Sequence, residues 1–182
     1  MKRPSTATID SDVTDDPSSS DYPPIGDHGI IGDCRTAALV SRTGSIDWLC
    51  LPRFDSPSFF ARILDHRKGG CFSVRPEDPF ETERRYLPDT NVLETTFRTD
   101  GGVIKLTDFM PVTSEELKRE ALWPQHQILR IVDCVEGRVP VAVRCEPRPD
   151  YARHNARLED RGPLGYLYQD GSSALFLRAD LP

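Results

Sequence analysis

The segment from Asn91 to Met110 constrains the fold more than any other. Val92, Glu94, Thr96 and Arg98 fall on one side of an extended chain, and Leu93, Thr95 and Phe97 on the other. Asp100-Gly101-Gly102 follows as a tight-turn signal, because glycine takes positive φ without steric penalty. Val103 to Phe109 then alternates again. Period two, a turn, and period two once more predict an antiparallel hairpin.

The rest of the chain repeats this grammar in shorter phrases. Gly29 to Ile31 is one apolar piece, and Thr36 to Ser41 another. Arg42-Thr43-Gly44 reads as a hairpin-like turn into Ser45 to Leu51, and Pro52 to Pro57 as a proline-bounded loop. Ser58 to Leu64 reads as one or two helical turns with Ser58 as N-cap, ended by Gly69-Gly70. Cys71 to Arg75 and Thr82 to Leu87 are further strands. Gln127 to Val135 and Arg138 to Cys145 form a second candidate hairpin across Glu136-Gly137. Leu164 to Gln169 and Ala174 to Arg178 form a third across Asp170-Gly171. Many short strands without a long amphipathic helix predict an all-β fold, an antiparallel β-sandwich. Leu175-Phe176-Leu177 is still strand-like close to Pro182, which leaves an edge for the sandwich to close and makes it a candidate for being incomplete at that end.

Residues 1–21 are expected to be a disordered tail, since Ile9 and Val13 are their only sizeable apolar side chains. The domain is expected over residues 22–182. A net charge of −6 argues against a nucleic-acid or anionic-lipid surface. No apolar run reaches the ~20 residues that span a bilayer, and Met1-Lys2-Arg3-Pro4 opens no signal peptide. The five cysteines, Cys34, Cys50, Cys71, Cys134 and Cys145, are odd in number and lack CxxC spacing. They are expected to be buried free thiols of a cytoplasmic protein. His28, His66, His126 and His154 have no metal-like spacing, so neither a metal nor another cofactor is expected. No phosphate loop and no nucleophile elbow is present.

Several phrases recur in the order of a known family. Ile31-Gly32-Asp33, Thr36 to Val40, Gly44 to Leu49 and Pro52 to Pro57 are followed by Arg85 to Thr90, Val92 to Thr95 and Leu106 to Pro111. In this the chain resembles the N-terminal part of trehalase/glucoamylase-like enzymes, glycoside hydrolase family 15. The resemblance implies a β-sandwich packed on an (α/α) barrel that hydrolyses α-glucosidic bonds with inversion. The barrel is the implied partner, in cis or in trans, and the implied substrate is an α-glucoside such as trehalose or a maltooligosaccharide. Inversion needs one carboxylic acid and one carboxylate across the sugar. The family's pair lies in the barrel, and no residue here matches it, so no catalytic residue is assigned.

The candidate carboxylates are Asp27, Asp33, Asp47 and Asp55 in the stretch Ile25 to Phe60, and Asp108 in Leu106 to Pro111. Beside Gly, Ser and Pro they are expected to form turns, while Asp47 and Asp108, inside strands, point outward or pair with an arginine. The loop phrase holds the residue types of a sugar site, an aromatic face with planar donors and acceptors. Trp48, Arg53, Phe54 and Asp55 are therefore the candidate substrate-binding residues, with the loop reaching a neighbouring domain's pocket. The competing reading makes Trp48 and Phe54 core and Arg53–Asp55 a structural ion pair. Tyr151, Tyr166 and Tyr168 are either a glucan-binding patch or core. The functional expectation is a non-catalytic N-terminal domain or fragment of a hydrolase. The alternative is a stand-alone carbohydrate-binding or partner-docking module.

Overall fold

The computed structural model describes residues 22–120, 126–171 and 173–180, and the anticipated tail lies outside them. Strands dominate, and every pairing is antiparallel. In the first sheet β1 (His28–Gly32), β2 (Ala37–Ser41), β3 (Ser45–Cys50), β5 (Phe72–Pro76) and β10 (Val141–Cys145) lie side by side, and β4 (Ser58–Ala61) shares one edge of β3 with β5. The second sheet runs β6 (Glu81–Tyr86), β7 (Leu93–Thr99), β8 (Gly102–Phe109), β9 (Leu129–Gly137). A third small sheet is β11 (Arg157–Asp160), β12 (Tyr166–Asp170), β13 (Ser173–Leu177). The helical pieces are α1 (Glu115–Glu120) and two 3-10 turns, Ile25–Asp27 and Gly162–Leu164, while Pro149–Ala152 is a tight turn with Asp150 and Tyr151 in the left-handed region. Among the described residues no helix is long and apolar enough to cross a membrane.

The first two sheets face each other, as the alternation predicted. Ile31, Val40, Ile46, Leu49 and Phe60 of the first meet Leu93 of the second and Met110 beyond it, all at most 2% exposed. A second cluster joins Val74 to Phe97, Ile104 and Leu106. Each such side chain fully withdrawn from water stabilises the fold by about 1.5–3 kcal/mol before entropy is counted.

Polar ties hold the layers together. Arg130 on β9 forks onto Asp108 of β8 at 2.8 and 3.1 Å. Its guanidinium also donates to the carbonyls of Phe72 and Gly44 in the opposite sheet, at 2.6 and 2.7 Å, and lies over the Phe72 ring. Arg84 on β6 donates to the carbonyls of Asp27 and Val40. The Tyr86 hydroxyl accepts from the Ile30 amide and donates to its carbonyl. The third sheet is attached through Tyr168, 8% exposed, whose hydroxyl donates to Cys145 O at 3.0 Å. Tyr168 is thus packed rather than part of a surface patch.

Three local expectations are corrected. Ser58–Ala61 is a fully buried strand, not a helical turn. Phe59 and Phe60 favour a pleated surface, and Ser58 Oγ accepts the amide of distant Tyr151 at 3.2 Å instead of capping its own turn. The hairpin across Glu136-Gly137 does not form. β9 pairs with β8, β10 pairs with β5, and the chain between them crosses from one sheet to the other. The cysteines are free, but only Cys50 and Cys71 are buried. Cys34 is exposed in a left-handed turn (φ 68°), and Cys134 is exposed on the sheet-edge strand β9. Burial pushes the Cys145 thiol up to about 12.

Candidate functional site

The loop between β3 and β4 is built by its own turn chemistry. The Ser56 amide donates to Arg53 O, and the Arg53 amide to Ser56 Oγ, both at 3.1 Å. The Phe54 amide donates to Arg35 O at 3.0 Å and so ties the loop to the β1–β2 connection. That connection is an Asx turn: Asp33 Oδ1 accepts the amides of Arg35 and Thr36 at 3.0 and 2.9 Å. His126 Nδ1 stands 3.6 Å from Asp33 Oδ2.

These three segments border an open depression of about 770 Å³ lined by Arg35, Pro52, Arg53, Phe54, Asp55 and His126. Phe54 is 62% exposed and is not core. Arg53 forks onto Asp55 through Nε–Oδ1 at 2.9 Å and Nη2–Oδ2 at 3.0 Å, with both side chains open to water. The pair is therefore a pre-oriented, hydrated donor–acceptor fork rather than a source of stability. Arg53, Phe54 and Asp55 line the same depression. Trp48 does not join them. It packs on Tyr151, with ring centroids 6.2 Å apart and planes tilted by 46°. Sequence reading missed Arg35 and His126 as neighbours of the loop, because nothing in linear spacing announces a partner on another connection, and His126 lies about seventy residues further along the chain.

Each of the five carboxylates already has a partner. Asp27 takes Arg42 Nε at 2.9 Å, and Asp33 holds its Asx turn. Asp55 takes Arg53, and Asp108 is fully buried against Arg130. Asp47, 4% exposed, accepts from Ser45 Oγ at 2.5 Å and sits 3.2 Å from His28 Nε2. That bond to Asp47 is the main cause that raises the His28 pKa, against burial, which lowers it. Ser45 bonds the carboxylate and not the imidazole, so the trio lacks the serine–histidine contact of a nucleophilic triad. Among the described residues no cluster of His, Cys, Asp and Glu is arranged to hold a metal ion.

The family described as "Trehalase-like, N-terminal" matches residues 18–178. The trehalase of Mycolicibacterium smegmatis is 40% identical over 153 residues, 78% of this chain and 23% of that protein. The Mycobacterium tuberculosis trehalase is 37% identical over 154 residues, covering 79% of this chain and 22% of its own length. The Thermoplasma volcanium trehalase is 34% identical over 164 residues, 88% of this chain and 25% of that one. The chain thus spans about a quarter of the length of these curated relatives. No solved structure matches it at a significant level. The chain belongs to the trehalase-like N-terminal family.

Proposed function

From that membership we propose that residues 22–182 act as the non-catalytic β-sandwich of an inverting α-glucosidic hydrolase. The acid and base come from an (α/α) barrel, in cis or in trans. The observation that carries this reading is the commitment of all five motif carboxylates to arginines, turns or a buried histidine. An inverting pair must instead face one sugar with room for a water between the two groups. The names of the curated relatives favour trehalose as substrate, with maltooligosaccharides as the other α-glucosides to assay.

In this reading the Pro52–Pro57 loop leans over the barrel's pocket. Phe54 offers an apolar face, and the Arg53–Asp55 fork offers donors and acceptors to hydroxyls. The free cysteines favour a reducing, cytoplasmic setting. The test is Arg53→Ala in a complete enzyme. KM for trehalose should rise about tenfold, the loss of one charged hydrogen-bonding group, with an unchanged melting temperature. Unchanged KM in a folded variant removes the loop from the substrate. Glucose release by residues 22–182 alone overturns the non-catalytic assignment.

A further inference from the structure

Trp48, displaced from the loop, belongs to a different constellation. It lies on β3 under Tyr151, which is 44% exposed. Tyr151 is held there by an unusual backbone. Asp150, Tyr151 and Ala152 are consecutive non-glycine residues in the left-handed region, at φ 51°, 56° and 62°. Each such residue costs roughly 1–2 kcal/mol. The turn is pinned to β4 by the Tyr151 amide on Ser58 Oγ at 3.2 Å and the Arg148 amide on Phe59 O at 2.8 Å. The fold therefore sustains strain to hold one half-exposed aromatic ring above another.

Polar groups gather beside the rings. His154 stands 3.3 Å from Asp170 at the end of β12 and 3.8 Å from Asp150, while Arg153 reaches Asp150 at 3.5 Å. Each acid already has a basic partner, which disfavours a free cation as ligand. A neutral polyol fits: its C–H face stacks on an aromatic ring, and its hydroxyls bond to carboxylate and imidazole at the edge.

We propose that Trp48 and Tyr151, edged by Asp150, His154 and Asp170, form a pyranose-binding platform separate from the Pro52–Pro57 depression. That the pyranose is an α-linked glucosyl unit rests on the function proposed above; the platform itself does not. Its role is to hold a glucoside chain or a second sugar away from the reacting bond.

The chain has two tryptophans, Trp48 and Trp123. In a Trp123→Phe background, Trp48 fluorescence reports the platform. Titration with trehalose and with maltoheptaose should give a saturable change, weakened about tenfold or more by Tyr151→Ala and unaffected by Phe54→Ala. Amide chemical shifts of the unmodified chain read the same site without any substitution and should cluster at Trp48, Ser58 and Asp150–His154. Three results overturn the proposal: no response at tens of millimolar of either sugar, shifts confined to Arg35 and Arg53–Asp55, or a response to tetramethylammonium with none to sugar. None of these touches hydrolysis by a complete enzyme, so the platform and the domain assignment fail separately.

Discussion

Ala152 carries a methyl group at φ 62°, where only glycine sits without strain. Relief of about 1–2 kcal/mol on replacing it outweighs the 0.5–1 kcal/mol that glycine adds to unfolded-state entropy. Ala152→Gly should therefore stabilise the chain by about 0.5–1 kcal/mol and raise Tm by roughly 1–4 °C, as read by calorimetry. A lower Tm would mean that this turn is not left-handed in solution. His28 makes the second residue-scale prediction. Its folded pKa is raised, chiefly by Asp47. Protonation thus favours the folded state, and the contribution is complete below the unfolded value of about 6.5. It is lost as pH rises through the folded value. The urea midpoint of the unmodified protein should fall across that window relative to His28→Gln, and parallel profiles would refute the coupling. The sequence placed Asp47 inside a strand facing outward or an arginine. It could not show the histidine, because nineteen residues of chain separate the two and only the β1–β2–β3 meander brings them together.

At the scale of elements, Arg130 decides how the sheets meet. It is 3% exposed, forks onto the buried Asp108 of its neighbouring strand, and reaches two carbonyls of the opposite sheet. Arg130→Met leaves Asp108 as an uncompensated buried charge and should cost about 3–5 kcal/mol in urea unfolding. Arg130→Met combined with Asp108→Leu should recover much of that loss; equal destabilisation of the single and double variants would show that the carbonyl contacts, not the charge pair, dominate. The β7–β8 hairpin was legible in sequence because alternation and the Gly101-Gly102 turn agree on one answer. The partner of β9 was not. Its alternation fits β8 or β10 equally, and close packing of glycine backbones resolves the choice. Gly137 opposes Gly102, and a Cβ on Gly102 would fall 2.1 Å from Glu136 O.

Across the whole molecule, β9 is the edge of its sheet and carries Leu129, Ile131, Val132 and Val135, each at least 40% exposed. Val143 on β10 and Phe176 on β13 add further uncovered apolar surface. An apolar edge strand is a template for pairing with another chain. Residues 22–182 expressed alone should self-associate with rising concentration in sedimentation velocity. Ile131→Lys should suppress this while changing stability by no more than about 0.5 kcal/mol. A monomer at all concentrations would mean that this edge is protected in solution.

Local side-chain pattern is enough to specify the all-β class, the β7–β8 and β12–β13 hairpins, the turns at Gly44 and Gly171, and the family phrases in their order. These follow from period two and from turn residues, which act over a few positions. Tertiary structure alone decided that β9 and β10 part into different sheets, that Ser58–Ala61 extends, that Trp48 meets Tyr151 rather than Phe54, and that His126 joins Asp33 beside the loop. Each is a contact between segments far apart in the chain, chosen by packing two sheets against each other, and no local pattern of side chains encodes such a choice.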